Sequence, residues 1–459
     1  MKSRLGLKEN IIVASTLFGM FFGAGNLIFP VHLGQMAGSN VWPAIIGFVL
    51  TAVTIPIMGV AALGSTHSDN VLVLSSKVSK WYGYVYTCAL ALTIGPFFAI
   101  PRCATTSFVT GVEPMLGEGS SVAIAQLIFT FVFFALVLFF SLRPNGIMTW
   151  IGRIINPIFL VFLAILVITA LVHPSASISE VQPVEAYASG SFFNGFIEGY
   201  GTMDAIAALL FGVVIIDNIR SLGVRDDNDV ANCTLRAGIY TALLMALIYV
   251  LTIIMGTQSR GLFEVSDNGG IALAQISGHY LGKAGSIILA ITITLACLKT
   301  AIGLVTSCSR MFTQMFEIKF GYKFWAIAFT VFAFLISNVG LTKIIEYSLP
   351  VLMLLYPLTV VLIILSLFDK KFESSHRVYI WTTIGAALPA ICDFIKTLPF
   401  GIDVSFASKI FPLYDLGFGW IVPALIGFII GMIRHKISYS RFTEMMLDSD
   451  KQADEKKEE

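Results

Sequence analysis

The residues of greatest chemical interest form one stretch, Gly19-Met20-Phe21-Phe22-Gly23-Ala24-Gly25-Asn26-Leu27-Ile28-Phe29-Pro30. It lies in an apolar run over residues 11–33, long enough to cross a bilayer. Glycine weakens a helix by about 1 kcal/mol against alanine, and proline removes a donor and clashes with the preceding turn. A helix opened in hydrocarbon leaves N–H and C=O groups that cost several kcal/mol each unless protein, water or ligand satisfies them. One reading is close helix packing through small residues. The other is a broken helix whose freed backbone groups hold a solute and an ion. A matching segment elsewhere in the chain favours the second, and one exists. Asn194-Gly195-Phe196-Ile197-Glu198-Gly199-Tyr200-Gly201-Thr202-Met203-Asp204 runs directly into the apolar residues 205–216.

Four ionisable side chains sit deep in apolar runs: Arg102, Lys299, Glu198 and Asp204. An arginine at a membrane-helix centre costs about 2.5–3.5 kcal/mol on insertion scales. Arg102 therefore either snorkels to the interface or needs a carboxylate partner. Lys299 lies mid-run, too deep to snorkel easily, and should face a cavity or a partner. Two cations and two anions suit a polar cavity that avoids uncompensated charge. Sequence does not fix the pairing. Glu198 and Asp204 flank the Gly-x-Gly break, so they can sit on different half-helices.

The elements that must position these groups follow from composition. The chain has 459 residues, 56% hydrophobic and 12% charged, with mean hydropathy +0.85. Soluble domains carry about 25% charged residues. This predicts an all-α membrane protein of about twelve transmembrane helices, centred near residues 22, 52, 95, 132, 161, 204, 245, 296, 331, 354, 386 and 423. The first apolar run is too long for a signal-peptide core. The six cysteines lack CxxC spacing and read as buried apolar residues, neither a disulfide framework nor a metal site. A net charge of +1 gives no reason to expect nucleic acid. With the N-terminus cytoplasmic, external loops hold only Arg260, Lys283, Lys343, Lys396 and Lys409 of the 29 Lys and Arg residues. That asymmetry fits the positive-inside rule and puts both termini in the cytoplasm.

Spans 1 and 6 begin two five-span halves and enter the membrane from opposite sides. Glycine-interrupted segments at corresponding positions of two halves are the footprint of an inverted-topology repeat. The expected organisation is residues 1–172 (helices 1–5), residues 173–368 (helices 6–10), residues 369–436 (two peripheral helices) and a charged cytoplasmic tail, 437–459.

Phe22-Gly-Ala-Gly-Asn-Leu-Ile-Phe-Pro30, Gly95-Pro-Phe-Phe-Ala-Ile-Pro-Arg102 and Gly199-Tyr-Gly-Thr-Met-Asp204 occur in that order. Together they resemble the bacterial branched-chain amino acid:cation symporters of BrnQ type, over essentially the whole chain. The resemblance implies Na⁺- or H⁺-coupled import of leucine, isoleucine and valine across the bacterial plasma membrane. It also implies a leucine-transporter (LeuT)-like fold with a 5+5 inverted repeat. The partners so implied are a small amino acid and the lipid bilayer, with no cofactor, no nucleic acid and no obligate protein partner.

In that fold the substrate carboxylate meets freed N–H groups of the first broken helix, which implies Gly23, Ala24, Gly25 and Asn26 here. The ammonium would meet carbonyls at half-helix ends, implying Phe21 and Gly199, Tyr200 and Gly201, with Thr202 and Asp204 beside them. Tyr200 matches the aromatic that closes over the substrate. The shared sodium site implies carbonyls of Gly19, Phe22 and Ala296 and the hydroxyl of Thr300. Lys299 departs from the pattern, falling where a second hydroxyl ligand is expected. Like charges about 4 Å apart repel by about 4 kcal/mol at an effective dielectric of 20. Either the Lys299 ammonium replaces sodium, or the register is offset and Lys299 pairs with a carboxylate beside an intact site.

Two other functions compete. The same architecture could carry another apolar amino acid or a small solute. An intramembrane enzyme would use Glu198 and Asp204 as an acid pair, but no span supplies an HExxH motif or a paired-aspartate motif.

Overall fold

A computed structural model describes residues 2, 4–66, 70–117, 119–143, 147–316 and 321–438, with the backbone alone at 65, 147–156 and 227. Most of the expected tail, 439–459, lies outside the described residues.

The first apolar run forms two helices, α1 (Leu7–Phe21) and α2 (Ala24–Ala37), separated at Phe22 and Gly23. Gly23 is extended at φ −134° and ψ −159°. Pro30 is tolerated inside α2, one of the places where a membrane helix accommodates proline. The chain turns at Gly38, whose φ of 52° suits a residue without Cβ. Span 2 follows as α3 (Val41–Val49) and α4 (Ile55–Ser65), joined by a π turn over Leu50–Thr54.

Span 3 is also interrupted. Helix α5 (Lys80–Leu92) gives way to a π turn over Thr93–Phe97, where Gly95 leaves the helical region, and α6 (Ala99–Ser107) carries Arg102. The Gly95-Pro96 pair explains the break, since proline supplies no donor and disfavours a helical residue before it. Helices α7 (Val122–Ser141) and α8 (Ile147–Val172) follow.

The next interrupted segment comprises α9 (Ser191–Glu198), a single 3₁₀ segment over Gly199–Thr202, and α10 (Asp204–Ser221). The two pieces are bent by 44°. Met203 stands between them at φ 63°, a left-handed conformation for a non-glycine residue. Such a conformation costs about 1–3 kcal/mol and clusters at functional sites. The chain continues as α11 (Asp227–Gln258), α12 (Gly269–Met315), α13 (Tyr322–Ser337), α14 (Leu341–Leu367), α15 (His376–Thr397) and α16 (Ile421–Ser438).

Among the described residues, eight helices are long and apolar enough to cross a membrane, or up to nine if the bent pair is one span. The expected count of twelve is therefore not reached on length and composition. Helix α2 continues into span 2 as one apolar stretch, Ala24–Gly64, and Pro157–Val172 and Tyr322–Ser337 are shorter apolar helices. The outer helices expose large apolar side chains, such as Ile124, Ile128 and Phe131 on α7 and Ile426 and Ile429 on α16. Helices α2 and α10 are buried along most of their length. Close approach holds the centre together: a Cβ on Gly195 would lie 2.3 Å from the Ala44 carbonyl oxygen, and one on Gly47 would lie 2.1 Å from that of Phe192. Here the packing role of small residues applies.

Candidate functional site

The breaks in spans 1, 3 and 6 converge. A cavity of about 40 Å³ is lined by Phe21, Gly23, Ala24, Gly25 and Asn26 of the first break and by Thr202, Met203 and Asp204 of the second. Span 3 contributes Ile94, Ala99, Arg102 and Cys103, and α12 contributes Thr300 and Leu304. Ala207 and Phe211, one and two turns into α10, make the wall apolar together with Met20.

Asn26 organises the first break. Its Oδ1 accepts from the N–H of Gly23 at 2.9 Å, closing the start of α2. Its Nδ2 donates to Asp204 Oδ2 at 2.6 Å and lies 2.5 Å from the Tyr249 hydroxyl. Tyr249 in turn donates to Asp204 Oδ2 at 3.3 Å. The buried carboxylate is thus held by two donors from two other helices, which offsets the cost of removing it from water.

Arg102 organises the second break. Sequence left Arg102 either snorkelling or paired with a carboxylate; instead its Nη1 donates to the backbone oxygen of Gly201 at 2.6 Å. The 3₁₀ segment frees that carbonyl from the helical ladder, and a guanidinium satisfies it. Arg102 also lies 5.2 Å from the centre of the Phe29 ring, within cation–π range. Gly25 makes room for it, since a Cβ there would lie 2.7 Å from Arg102 Nη2.

Three of the expected substrate residues face elsewhere. Tyr200 is fully buried and stacks on Tyr356 with ring centres 4.1 Å apart. Gly199 packs against Thr51, and Gly201 turns its carbonyl to Arg102. In the expected ion set, the Thr300 hydroxyl donates to the Ala296 carbonyl at 3.1 Å and lies against Gly23. Phe22 stacks on Phe18, with ring centres 4.9 Å apart, and also meets Phe159. Gly19 is buried within α1. Lys299 is half-buried on α12, beside Thr300 in sequence and outside the lining of the central cavity.

Glu198 belongs to a second cavity of about 270 Å³, lined by His32, Glu198, Gly201, Asp267 and Glu346 among others. The four intramembrane charges are therefore not one cluster. Arg102 and Asp204 share the central cavity, whereas Glu198 faces outward from it. Sequence reasoning missed Met203, Tyr249 and the apolar wall of Ala207, Phe211 and Leu304. Tyr249 lies in the plain apolar run Leu247-Ile248-Tyr249-Val250, and only its isolated hydroxyl could have flagged it.

Over 94% of this chain and 91% of the other, the fold is similar to Mhp1 in its inward-facing conformation, with TM-score 0.62 at 15% identity. It is similar to MhsT in complex with L-phenylalanine with TM-score 0.53 at 17% identity, over 95% and 99% of the two chains. These likenesses show the fold, which among the described residues is all-helical with helix breaks around a central cavity. Residues 7–438 match the family described as branched-chain amino acid transport protein, and the chain belongs to that family. It is 47% identical to the branched-chain amino acid permease BrnQ of Lactobacillus delbrueckii subsp. lactis, over 96% of this chain and 100% of the relative. It is 40% identical to the permease BraB of Bacillus subtilis (strain 168), over 94% and 97%.

Proposed function

We propose that this protein imports leucine, isoleucine and valine across the bacterial plasma membrane, coupled to a Na⁺ or H⁺ gradient by alternating access, with both termini cytoplasmic. The observation that carries this reading is the pairing of opposite polarities on the two breaks around one cavity. The start of α2 offers backbone N–H groups beside Arg102, a setting for the α-carboxylate. Asp204 faces the same cavity with a carboxylate for the ammonium. The wall of Ala207, Phe211 and Leu304 suits a branched aliphatic side chain. The named activities of the BrnQ and BraB relatives support the same substrate class.

At about 40 Å³ the cavity has room for a few waters, less than a leucine occupies. Admission of substrate then requires the half-helices around it to move, as alternating access supplies. In this reading the coupling ion would take the carbonyls of Gly19, Phe22 and Ala296 and the hydroxyl of Thr300, the neighbour of Lys299 in sequence. An ammonium reaching into that ligand set would repel Na⁺.

The test is radiolabelled leucine uptake into proteoliposomes, driven separately by a Na⁺ gradient or a pH gradient, for the wild type and Lys299→Thr. Uptake driven by pH alone, with Na⁺ dependence appearing in Lys299→Thr, means that the ammonium takes the place of sodium. Na⁺-driven uptake in the wild type means that the sodium site is intact. No uptake of any branched-chain amino acid under either gradient would sink the proposal.

A further inference from the structure

The outer cavity contains a pair of groups arranged for a ligand smaller than an amino acid. His32 on α2 places Nε2 3.0 Å from the backbone oxygen of Ser266. A carbonyl only accepts, so Nε2 carries the hydrogen. In the neutral ring Nδ1 is then a bare lone pair, and it lies 3.8 Å from Oε1 of Glu198 on α9. Two acceptors face one another. One added proton turns that repulsion into an imidazolium–carboxylate pair, or into a carboxyl donating to the imidazole.

The surroundings favour the proton. Asp267 in the loop before α12 and Glu346 on α14 line the same cavity, as does Tyr187. No Lys or Arg is among the described lining residues. The His32 and Glu198 side chains keep 19% and 21% of their surface accessible, so water can deliver and remove the proton.

The position of the pair gives it a consequence. Phe29 and His32 are three residues apart on α2 and therefore share a face. Gly201 follows Glu198 by the same interval. Phe29 and Gly201 are the residues on which Arg102 rests above the central cavity. We propose that His32 and Glu198 form a proton-binding site whose occupancy joins the outer half-helices of spans 1 and 6 over the central cavity. With the proton bound, α2 and α9 attract one another. Without it, the lone pair and the carboxylate push them apart. The proposal rests on the transport reading for its consequence and on the pair's own geometry for its existence.

Leucine counterflow in proteoliposomes at matched pH on both faces, between pH 5.5 and 8.5, removes any ion gradient from the measurement. The wild-type rate should change by about threefold or more across that range with one titration, as expected for a histidine-centred pair. His32→Gln and Glu198→Gln should each flatten the profile while retaining counterflow at the permissive pH. A wild-type profile in both variants overturns the site's role. The ¹⁵N imidazole spectrum of the detergent-solubilised protein reads the site without any substrate. A signal of the Nε2–H tautomer should titrate, vanish in His32→Gln and shift its midpoint in Glu198→Gln. A midpoint unmoved by Glu198→Gln overturns the proton site itself. If the wild type shows no leucine counterflow at any pH, the transport reading fails, and the imidazole spectrum still decides the proton site.

Discussion

Arg102 on span 3 donates to the carbonyl of Gly201 in the break of span 6, at 2.6 Å. A cation that sequence alone left to snorkel or to pair with a carboxylate bonds open backbone instead, and Gly25 on span 1 is the gap through which it passes. Three broken spans therefore meet at one guanidinium.

Gly25→Ala should act through Arg102 and not through the helix. The added methyl would lie 2.7 Å from Nη2 and 3.3 Å from the Cα of Thr202. Overpacking of this kind costs about 1–3 kcal/mol, so leucine uptake should fall by about tenfold or more. Arg102→Lys should fall comparably, because an ammonium lacks the planar fork that reaches the carbonyl and lies near Phe29. Initial uptake rates, normalised to folded protein by size-exclusion chromatography, check both. Near wild-type rates in both variants would remove Arg102 from the mechanism.

The Asn26–Asp204–Tyr249 network should behave as a unit. Asn26→Asp sets two carboxylates against each other and should abolish leucine binding. Tyr249→Phe removes one donor and should weaken it by the net worth of a hydrogen bond to a charged group, about 1.5–3 kcal/mol. Tyr249→Phe and Asp204→Asn combined should be non-additive, with a coupling of about 0.5–3 kcal/mol. Leucine binding by scintillation proximity measures all four corners of the cycle. Strict additivity would mean that the contacts of Tyr249 and Asp204 do not matter to binding.

These residues also show where sequence was informative. The break in span 1 was legible because Gly23, Gly25, Asn26 and Pro30 each weaken a membrane helix, and a matching segment in span 6 favoured a break over packing alone. The break in span 6 was legible for the same reason, but its pivot was not. Met203 is an ordinary helix former, and its left-handed backbone is imposed by tertiary context. The interruption of span 3 at Gly95-Pro96 was not read from sequence, because the run around it is apolar enough to pass as one helix. Glu198 and Asp204 flank a break, so the spacing allowed them to face different cavities, and only the geometry separates the outer from the inner. Span number was less legible, because a single helix can run through a tight turn into the next.

On the cytoplasmic side of that expected orientation, Asp369 ties three segments. Lys77 Nζ lies 2.7 Å from its Oδ2, Ser374 donates to Oδ2 at 2.6 Å and Tyr379 donates to Oδ1 at 2.8 Å. Burial alone would raise its pKa, but these hydrogen bonds outweigh burial and hold the carboxyl below its ordinary 3.8. A depressed folded-state value contributes stability that is present above pH 3.8 and is lost as pH falls through the lower folded value. Asp369→Asn should therefore lower the melting temperature at pH 7, by an amount worth about 1 kcal/mol for a partly solvated ion pair. The gap to wild type should close as pH drops below 3.8. Thermal unfolding in detergent at pH 7 and pH 3 reads this. A gap that is equal at both values would mean that packing, not charge, holds the contact.

Ala207 gives a test of what the central cavity selects. It lies one turn into α10, in the wall that also holds Phe211 and Leu304, and only 7% of its surface is exposed. Ala207→Val adds two methyl groups to a cavity of about 40 Å³. Leucine exceeds valine by one methylene, and one methylene in an apolar pocket is worth about 1–3 kcal/mol, or 10–200-fold in discrimination. The added bulk should take space from the longer side chain first, so the ratio of leucine to valine uptake should fall by about tenfold while valine uptake is largely retained. Competition of radiolabelled leucine with unlabelled valine, in both directions, measures the ratio. If leucine and valine fall together, the wall at Ala207 does not contact the side chain. If neither falls, the branched chain binds somewhere other than between the two breaks.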